Sequence, residues 1–253
     1  MDVGRTRRLP LIARIESDAR SIMSLMTSRL LAVSGKMAAG KDTISEPVAA
    51  NLWPSTTIRK AAFADALRTE VNKIIEILRL PMSDGAQQAM IVQQMDCDYK
   101  QAMMIHGILW KAAHVDSGLT AVDHTTEMRR ALQYWGTDVR RAYEDNYWVW
   151  KMRRTLDSLL SAGETVVVTD ARFPNELDLI HSLNGLILRL DVDRDTQKQR
   201  LLARDGAYDE SRLSHVSETA ADDYRGFDAR VSVDGKTVEQ VVAESVRVLT
   251  PSL

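Results

Sequence analysis

Two glycines and a lysine, placed between an apolar run and a helix-forming segment, are the residues of this chain best suited to bind phosphate. The stretch reads Ser34-Gly-Lys-Met-Ala-Ala-Gly-Lys-Asp-Thr43. Gly35 and Gly40 allow backbone turns that a side chain would block, so that successive loop N–H groups can converge on phosphate oxygens. The following helix adds its positive N-terminal end, and Lys41 supplies a mobile ammonium. We predict that the nucleotide-binding residues are Gly35, Met37, Ala38, Ala39, Gly40, Lys41, Asp42 and Thr43.

The loop departs at one position from the P-loop pattern G-x-x-x-x-G-K-[ST]. Asp42 stands where a hydroxyl normally follows the lysine, and Thr43 comes one place later. In a strict P-loop that hydroxyl ligates Mg²⁺. We therefore expect Thr43 to contact a phosphate, while carboxylates and water hold the metal, with Asp42 acting through water. A glycine-rich turn that merely joins a strand to a helix is the alternative interpretation.

Charged residues follow the later apolar runs, at the strand ends where a parallel α/β sheet gathers its ligands. Asp170 closes one run, and we interpret it as an acid that holds Mg²⁺ or its water; a turn-capping aspartate is the alternative. Arg172 should emerge at the same rim. Arg200 and Arg204 are one helical turn apart and share a face. Phosphoryl transfer needs positioning and positive charge, so these arginines are candidates to bind phosphates, although any one of them could be a solvated surface arginine.

Apolar patterning predicts the elements that must position these residues. Five strands are expected, alternating with helices, over 31–34, 56–63, 165–170, 186–191 and 230–233. That alternation implies an α/β fold with a parallel sheet covered by helices on both faces. Asp65 is the expected N-cap of the helix after the second strand, and Gly136 is expected to interrupt a later helix. Thr237 should open the final helix with a capping box.

The chain is expected to form one main domain with an insertion. Residues 1–29 are interpreted as an N-terminal extension, and 30–253 as the phosphate-binding domain. The strand-free sequence of about 64–162 predicts a helical insertion. The polar segment of about 205–217 has no apolar periodicity and is suited to be a lid, with Arg212 a weaker candidate than the other arginines.

Composition narrows the classes of protein and partner. A formal charge of -2 over 253 residues gives no global reason to expect binding to nucleic acid or membranes. Cys97 is the only cysteine, which excludes an internal disulfide and a cysteine-based zinc site. No apolar run approaches membrane-spanning length. We expect a cytoplasmic protein with no membrane partner and no strong nucleic-acid signal, and a homodimer remains open.

Five segments resemble the bacteriophage deoxynucleoside monophosphate kinases, in that family's order. The similarity spans roughly Leu30 to Leu249, and the Gly-Lys-Asp-Thr form of the loop is part of it. The segments are Ser34-Gly-Lys-Met-Ala-Ala-Gly-Lys-Asp-Thr43, Phe63-Ala-Asp-Ala-Leu-Arg68, Leu132-Gln-Tyr-Trp-Gly-Thr-Asp-Val-Arg140, Thr169-Asp-Ala-Arg-Phe-Pro-Asn-Glu176 and His215-Val-Ser-Glu218.

The resemblance implies a P-loop kinase fold with a five-stranded parallel sheet, and transfer of the γ-phosphate of ATP to a deoxynucleoside 5′-monophosphate with Mg²⁺. If the gene is phage-encoded, the expected location is the host cytoplasm. A more distant likeness to adenylate kinases implies that Arg68 and Arg172 hold the acceptor phosphate. It also implies that Arg200 and Arg204 close over ATP. The expected catalytic residues are therefore Lys41, Arg172, Arg200 and Arg204. The expected acceptor-binding residues are Asp65, Arg68, Gln133, Asp138, Arg140 and Arg172.

Two other functions remain open from the sequence. One is a P-loop kinase with a different acceptor, either a modified base in phage DNA or a phosphorylated metabolite. A DNA acceptor should bring a basic groove with interleaved aromatic residues, which this nearly neutral chain does not concentrate. The other is a nucleotide-binding module without turnover, which would not require Asp170, Arg172, Arg200 and Arg204 together.

Overall fold

The structure is a computed structural model that describes residues 28–114, 126–206 and 210–252. The predicted N-terminal extension up to residue 27, part of the predicted lid (207–209) and the side chain of Arg212 lie outside the described residues. The chain divides into two compact units at Lys60 and Leu159. We call 28–60 with 159–252 the sheet unit, and 61–158 the helical unit.

A parallel sheet forms the centre of the sheet unit. Its strands are β1 (Leu30–Gly35), β2 (Ile58–Ala61), β3 (Thr165–Val168), β4 (Leu186–Asp191) and β5 (Ala229–Ser232). They lie in the order β2-β3-β1-β4-β5, and Leu31 of β1 stands between Val167 of β3 and Leu186 of β4. The three central strands are buried almost throughout, as apolar runs covered on both faces require. This architecture confirms the predicted α/β fold with a five-stranded parallel sheet.

Helices follow or separate the strands in chain order. They are α1 (Lys41–Leu52), α2 (Phe63–Leu78), α3 (Asp84–Met95), α4 (Tyr99–His114), α5 (Thr126–Gln133), α6 (Tyr147–Ser161), α7 (Pro174–Ser182), α8 (Arg194–Asp205), α9 (Glu210–Leu213), α10 (Val216–Thr219) and α11 (Val238–Leu249). A π-helical segment, Tyr134–Arg141, continues α5, and a 3₁₀ turn, Thr250–Ser252, ends the described chain. No helix in the described part of the chain is long and apolar enough to cross a membrane.

Each unit has its own apolar core. In the sheet unit, Val33, Leu188 and Val231 of the sheet pack with Val48 of α1 and Leu249 of α11. In the helical unit, the core joins α2, α3, α4, α5 and the π-helical segment. Its fully buried residues include Ile74, Ile91, Ile105, Met128 and Trp135. Both cores are made from the residues that recur at strand or helix spacing, since those positions face one side of each element.

Two local predictions are wrong, and both concern the helical unit. Helix α2 begins at Phe63 rather than after Asp65, and the Asp65 carboxylate accepts a hydrogen bond from the Ala62 N–H at 3.0 Å. An aspartate in the first turn can reach back to the cap in this way without being the cap. Gly136 does not interrupt its helix, which continues in π form. A Cβ at Gly136 would lie 2.8 Å from Cδ2 of Leu67, so the glycine instead allows α2 to approach.

Candidate functional site

The loop between β1 and α1 has a backbone that only particular residues allow. Gly40 caps α1 in the left-handed conformation, with φ 88° and ψ 19°. A Cβ at Gly35 would stand 2.8 Å from the carbonyl oxygen of Leu190 in β4. Ala38 also has a positive φ, 62°, which costs a residue with a Cβ about 1–2 kcal/mol. The loop is therefore held in a conformation that needs support from its neighbours.

Helix α8 supplies that support through two side chains one turn apart. Gln197, which is 2% exposed, donates to the Met37 carbonyl at 2.9 Å. Arg200 donates to the Ala38 carbonyl at 3.1 Å and to the Val233 carbonyl at 3.5 Å. In a trans peptide the N–H points opposite to the preceding C=O. Because the Met37 carbonyl faces Gln197 of α8, the Ala38 N–H is directed away from α8. The contact places Arg200 against the loop, while the part played by Gln197 was not predicted.

Lys41 lies half-buried and is turned back onto the loop. Its ammonium donates to the carbonyl of Gly35 at 2.8 Å and to that of Lys36 at 3.0 Å. Burial and the neighbouring Arg172 guanidinium lower the pKa of Lys41 from 10.5 to about 8, although the Glu218 carboxylate opposes that shift. The protonated ammonium is thus poorly compensated in this state, and a bound phosphate would supply the missing negative charge.

We expect ATP binding to take up a proton at pH values above the lowered pKa of Lys41. Phosphate favours the charged ammonium, so affinity should weaken as pH rises through about 8. The limit is about tenfold per pH unit, because one protonation event is coupled to binding. Calorimetric titration in buffers of different ionisation enthalpy measures the proton uptake directly. The Lys41→Arg variant stays protonated; equal pH slopes for variant and wild type would exclude Lys41 as the source.

Arg172 is fixed at both its backbone and its side chain. Its N–H donates to the Glu176 carboxylate at 2.7 Å, and its guanidinium forms an ion pair with Glu218. The second oxygen of Glu218 accepts the Met37 N–H at 2.9 Å. The structure therefore connects Arg172 with the loop through one carboxylate. Glu176 and Glu218 lie in segments that carry the family resemblance, but single glutamates at these positions have no spacing that marks them as site residues.

Asp42 and Thr169 form a hydroxyl–carboxylate contact at the edge of the loop. Thr169, which follows β3, donates its hydroxyl to the Asp42 carboxylate at 2.6 Å. In the strict P-loop pattern the residue after the lysine carries a hydroxyl. Here that residue, Asp42, carries a carboxylate, and the hydroxyl comes from Thr169 after β3. Asp170 comes next in the chain and is half-buried.

The described residues contain no cluster of three or more His, Cys, Asp or Glu side chains that could hold a metal by themselves. Mg²⁺ does not require such a cluster, because it usually keeps several waters and uses one or two carboxylates together with substrate phosphates. The oxygen donors of Asp42 and Asp170 fit such a site, and their role as metal-binding residues stays a prediction.

A second ionic group contacts the loop at Lys36. Arg189 of β4, which is 5% exposed, donates to the Asp222 carboxylate at 2.9 Å. Asp222 also pairs with Lys36 of the loop at 3.0 Å. The Arg189 charge contributes to lowering the pKa of Lys41. Arg189 was not predicted as a residue near the loop. The apolar residues around it in the sequence indicate a buried strand and give no sign of a site.

The remaining predicted residues of the sheet unit lie on α1 and α8, and His215, from a segment of the resemblance, precedes α10. Arg204 is exposed, and its predicted catalytic role is not tested by the contacts seen. His215 caps α10, with its Nδ1 accepting the Ser217 N–H at 3.2 Å. Thr43 is exposed in the first turn of α1. The assignment of about 205–217 as a lid stays a prediction.

The predicted acceptor residues of the helical unit differ in their surroundings. Asp65, Gln133 and Asp138 are exposed, as is Arg68, which lies 3.6 Å from the Asp65 carboxylate. Arg140 is buried between the rings of Trp135 and Tyr147. Their roles in acceptor binding stay predictions.

Arg140 is the centre of a buried network in that unit. It donates to the Glu70 carboxylate at 2.9 Å and to the backbone carbonyls of Met95 and Asp96. Glu70 also accepts from Trp135 at 2.9 Å and from Tyr147 at 2.5 Å. Burial alone would raise the pKa of Glu70, but these hydrogen bonds and the charge of Arg140 lower it. The network therefore contributes stability that is lost as pH falls through the lowered pKa.

Replacing Glu70 by alanine should destabilise the helical unit by about 3–5 kcal/mol, because it leaves the buried Arg140 charge unpaired. Urea denaturation measures the loss. The Asp157→Ala variant is the control, since Asp157 pairs with Arg153 at 3.3 Å with both side chains about half exposed. Such a surface pair contributes about 0–1 kcal/mol. Equal losses for the two variants would contradict a structural role for the Glu70 network.

Comparisons with known proteins give architectural similarity only. No family model matches the chain, and no curated protein matches it significantly. A sugar kinase from Janibacter sp. HTCC2649 is 16% identical, with a TM-score of 0.47 over 88% of this chain and 95% of that chain. Shikimate kinase from Aquifex aeolicus vf5 is 15% identical, with a TM-score of 0.41 over 87% and 96% of the two chains. Dephospho-CoA kinase from Campylobacter jejuni is 14% identical, with a TM-score of 0.39 over 88% and 97%.

These identities and TM-scores are too low to support an inference about substrate. A glycine-dependent loop lies between β1 and α1, with the Lys41 ammonium against its carbonyl groups. Arg200 contacts the same loop directly, and Arg172 is joined to it through Glu218. The arrangement is suited to bind a chain of phosphates.

Proposed function

We propose that this protein is a P-loop phosphotransferase that moves the γ-phosphate of ATP to a deoxynucleoside 5′-monophosphate, giving the diphosphate. The observation that carries the proposal is the placement of three cationic side chains at one loop. Lys41 contacts the loop from α1, Arg200 from α8, and Arg172 through Glu218. Binding a nucleotide alone would not require this concentration of positive charge, whereas a phosphoryl group in transfer does.

Each residue has a distinct part in the proposed reaction. The loop N–H groups and the N-terminus of α1 bind the phosphates of ATP. Lys41 follows the negative charge that develops during transfer, and Arg172 and Arg200 stabilise the moving group. Mg²⁺, when bound through Asp42, Asp170 and water, neutralises phosphate charge. The acceptor oxygen already carries negative charge, so no protein base and no covalent intermediate are required.

The acceptor class is inferred from the family resemblance rather than from a binding pocket. Arg172 is the proposed ligand of the acceptor phosphate in the sheet unit, since a guanidinium matches phosphate geometry. Asp65, Arg68, Gln133, Asp138 and Arg140 are the proposed acceptor residues of the helical unit.

ATP consumption measured with each deoxynucleoside and ribonucleoside monophosphate tests the proposal. We expect turnover with at least one deoxynucleoside monophosphate and none for the Lys41→Ala variant. ATP binding without turnover on any monophosphate would overturn the proposed acceptor. Modified DNA and phosphorylated metabolites would then be tried as acceptors in the same assay.

A further inference from the structure

We propose that Glu218 is a positioning residue that aims the Arg172 guanidinium at the phosphate-binding loop. This inference rests on the proposed function, because it concerns an arginine that the proposed phosphoryl-transfer site uses. Glu218 belongs to α10, a single turn capped by His215. Its side chain is only 4% exposed, although an isolated glutamate on so short a helix would ordinarily extend into water.

Both oxygens of the Glu218 carboxylate are used, and they are used on different elements. Oε1 pairs with Nη1 of Arg172, which lies beyond the end of β3. Oε2 accepts the Met37 N–H at 2.9 Å within the loop between β1 and α1. One carboxylate therefore sets the separation between the guanidinium and the loop. A carboxylate that only neutralised charge would not need the second contact.

The backbone of Arg172 is fixed independently. Glu176 accepts the N–H groups of Arg172 and Phe173 at 2.7 Å and 3.2 Å. These bonds fix the backbone of Arg172 but do not determine the conformation of its long side chain. The Arg172 side chain is 37% exposed, so packing alone does not determine its rotamer. Glu218 supplies the missing constraint at the guanidinium end.

The ion pair leaves Arg172 able to bind a phosphate. A guanidinium has several N–H donors in a planar fork, and Glu218 is bonded to only one of its nitrogens. Within residues 28–114, 126–206 and 210–252, the structure shows no other hydrogen bond from that guanidinium. The remaining donors suit a bidentate contact with phosphate oxygens. Glu218 thus orients the arginine and leaves its other N–H donors available for phosphate oxygens.

Removing the charge of Glu218 should separate affinity from turnover. Glu218→Gln keeps the shape and an acceptor for the Met37 N–H but loses the ion pair. A negative charge beside the phosphates is also removed, so ATP should bind as tightly as before or more tightly. Turnover should fall, because misplacing a catalytic group costs about 10²-fold. A merely structural residue would instead weaken ATP binding and turnover together.

The test measures kcat and ATP affinity of Glu218→Gln against wild type, with Glu244→Gln as a matched control. Glu244 of α11 pairs with Lys236 at 2.7 Å, so the control makes the same charge change at an ion pair outside the loop. We expect kcat to fall for Glu218→Gln alone, with ATP affinity kept or improved. Unchanged kcat, or a parallel loss of affinity, would overturn the inference.

A readout independent of turnover keeps this inference separate from the proposed function. NMR of nitrogen-labelled arginine side chains should show restricted rotation of the Arg172 guanidinium in wild type and averaged rotation in Glu218→Gln. The spectrum of Arg172→Lys assigns the signal. If wild type turns over no monophosphate, the proposed acceptor fails, while the NMR comparison still decides whether Glu218 positions Arg172. Identical rotation in both proteins would overturn the inference.

Discussion

Replacing Lys41 by methionine is expected to lower kcat by about 10²- to 10³-fold, the loss seen when one preorganised donor to a developing negative charge is removed. The ammonium is 2.8 Å and 3.0 Å from the two loop carbonyls, and we propose that it binds the outer phosphates. Methionine has a similar length without the charge, so the loop keeps its packing. Steady-state kinetics with a monophosphate that supports turnover measure the effect.

The same variant should be at least as stable as wild type at neutral pH. Because the folded-state pKa of Lys41 is about 8, below its ordinary 10.5, the unfolded chain binds this proton more strongly. Stability therefore rises with pH between those two values, and the charged ammonium is unfavourable below them. Thermal denaturation of Lys41→Met checks this. A large loss of stability together with lost turnover would mean that Lys41 is structural rather than catalytic.

The sheet could be predicted from sequence because its strands are apolar runs bounded by glycine or charge. Leu186–Asp191 and Thr165–Val168 match the predicted runs closely, since strands covered on both faces leave no room for polar alternation. The predictions that were wrong concerned single positions within helices. Asp65 and Gly136 have residue types that favour helix ends, and packing between α2 and the π-helical segment decided otherwise.

The loop could also be predicted, because Gly35, Gly40 and Lys41 occupy positions that few other functions require. What could not be predicted is the set of residues that hold the loop and the arginines in place. Gln197 and Glu218 each make one hydrogen bond to the backbone of Met37, and Glu218 also pairs with Arg172. Isolated contacts of this kind leave no periodic signal in a sequence. Such supporting residues can be identified only from a structure, because their contacts join segments that are far apart in the sequence.

Replacing Arg172 by alanine is expected to lower kcat by about 10³-fold or more, the contribution of an arginine that stabilises a phosphoryl group in transfer. Arg204→Ala is the comparison, because Arg204 is an exposed arginine of α8 and should cost less. Kinetics of the two variants under the same conditions rank them. A larger loss for Arg204→Ala would give the larger catalytic contribution to Arg204 rather than to Arg172.

The Arg172→Ala variant should also lose stability, since it leaves the Glu218 carboxylate buried without its partner, at a cost of about 3–5 kcal/mol. That loss could by itself reduce activity, and the double variant Arg172→Ala/Glu218→Gln separates the two effects. Glutamine removes the buried charge while still accepting the Met37 N–H, so denaturation should show stability recovering. Turnover should stay low, because no guanidinium is present. Recovery of turnover with stability would show that Arg172 serves the fold and not the reaction.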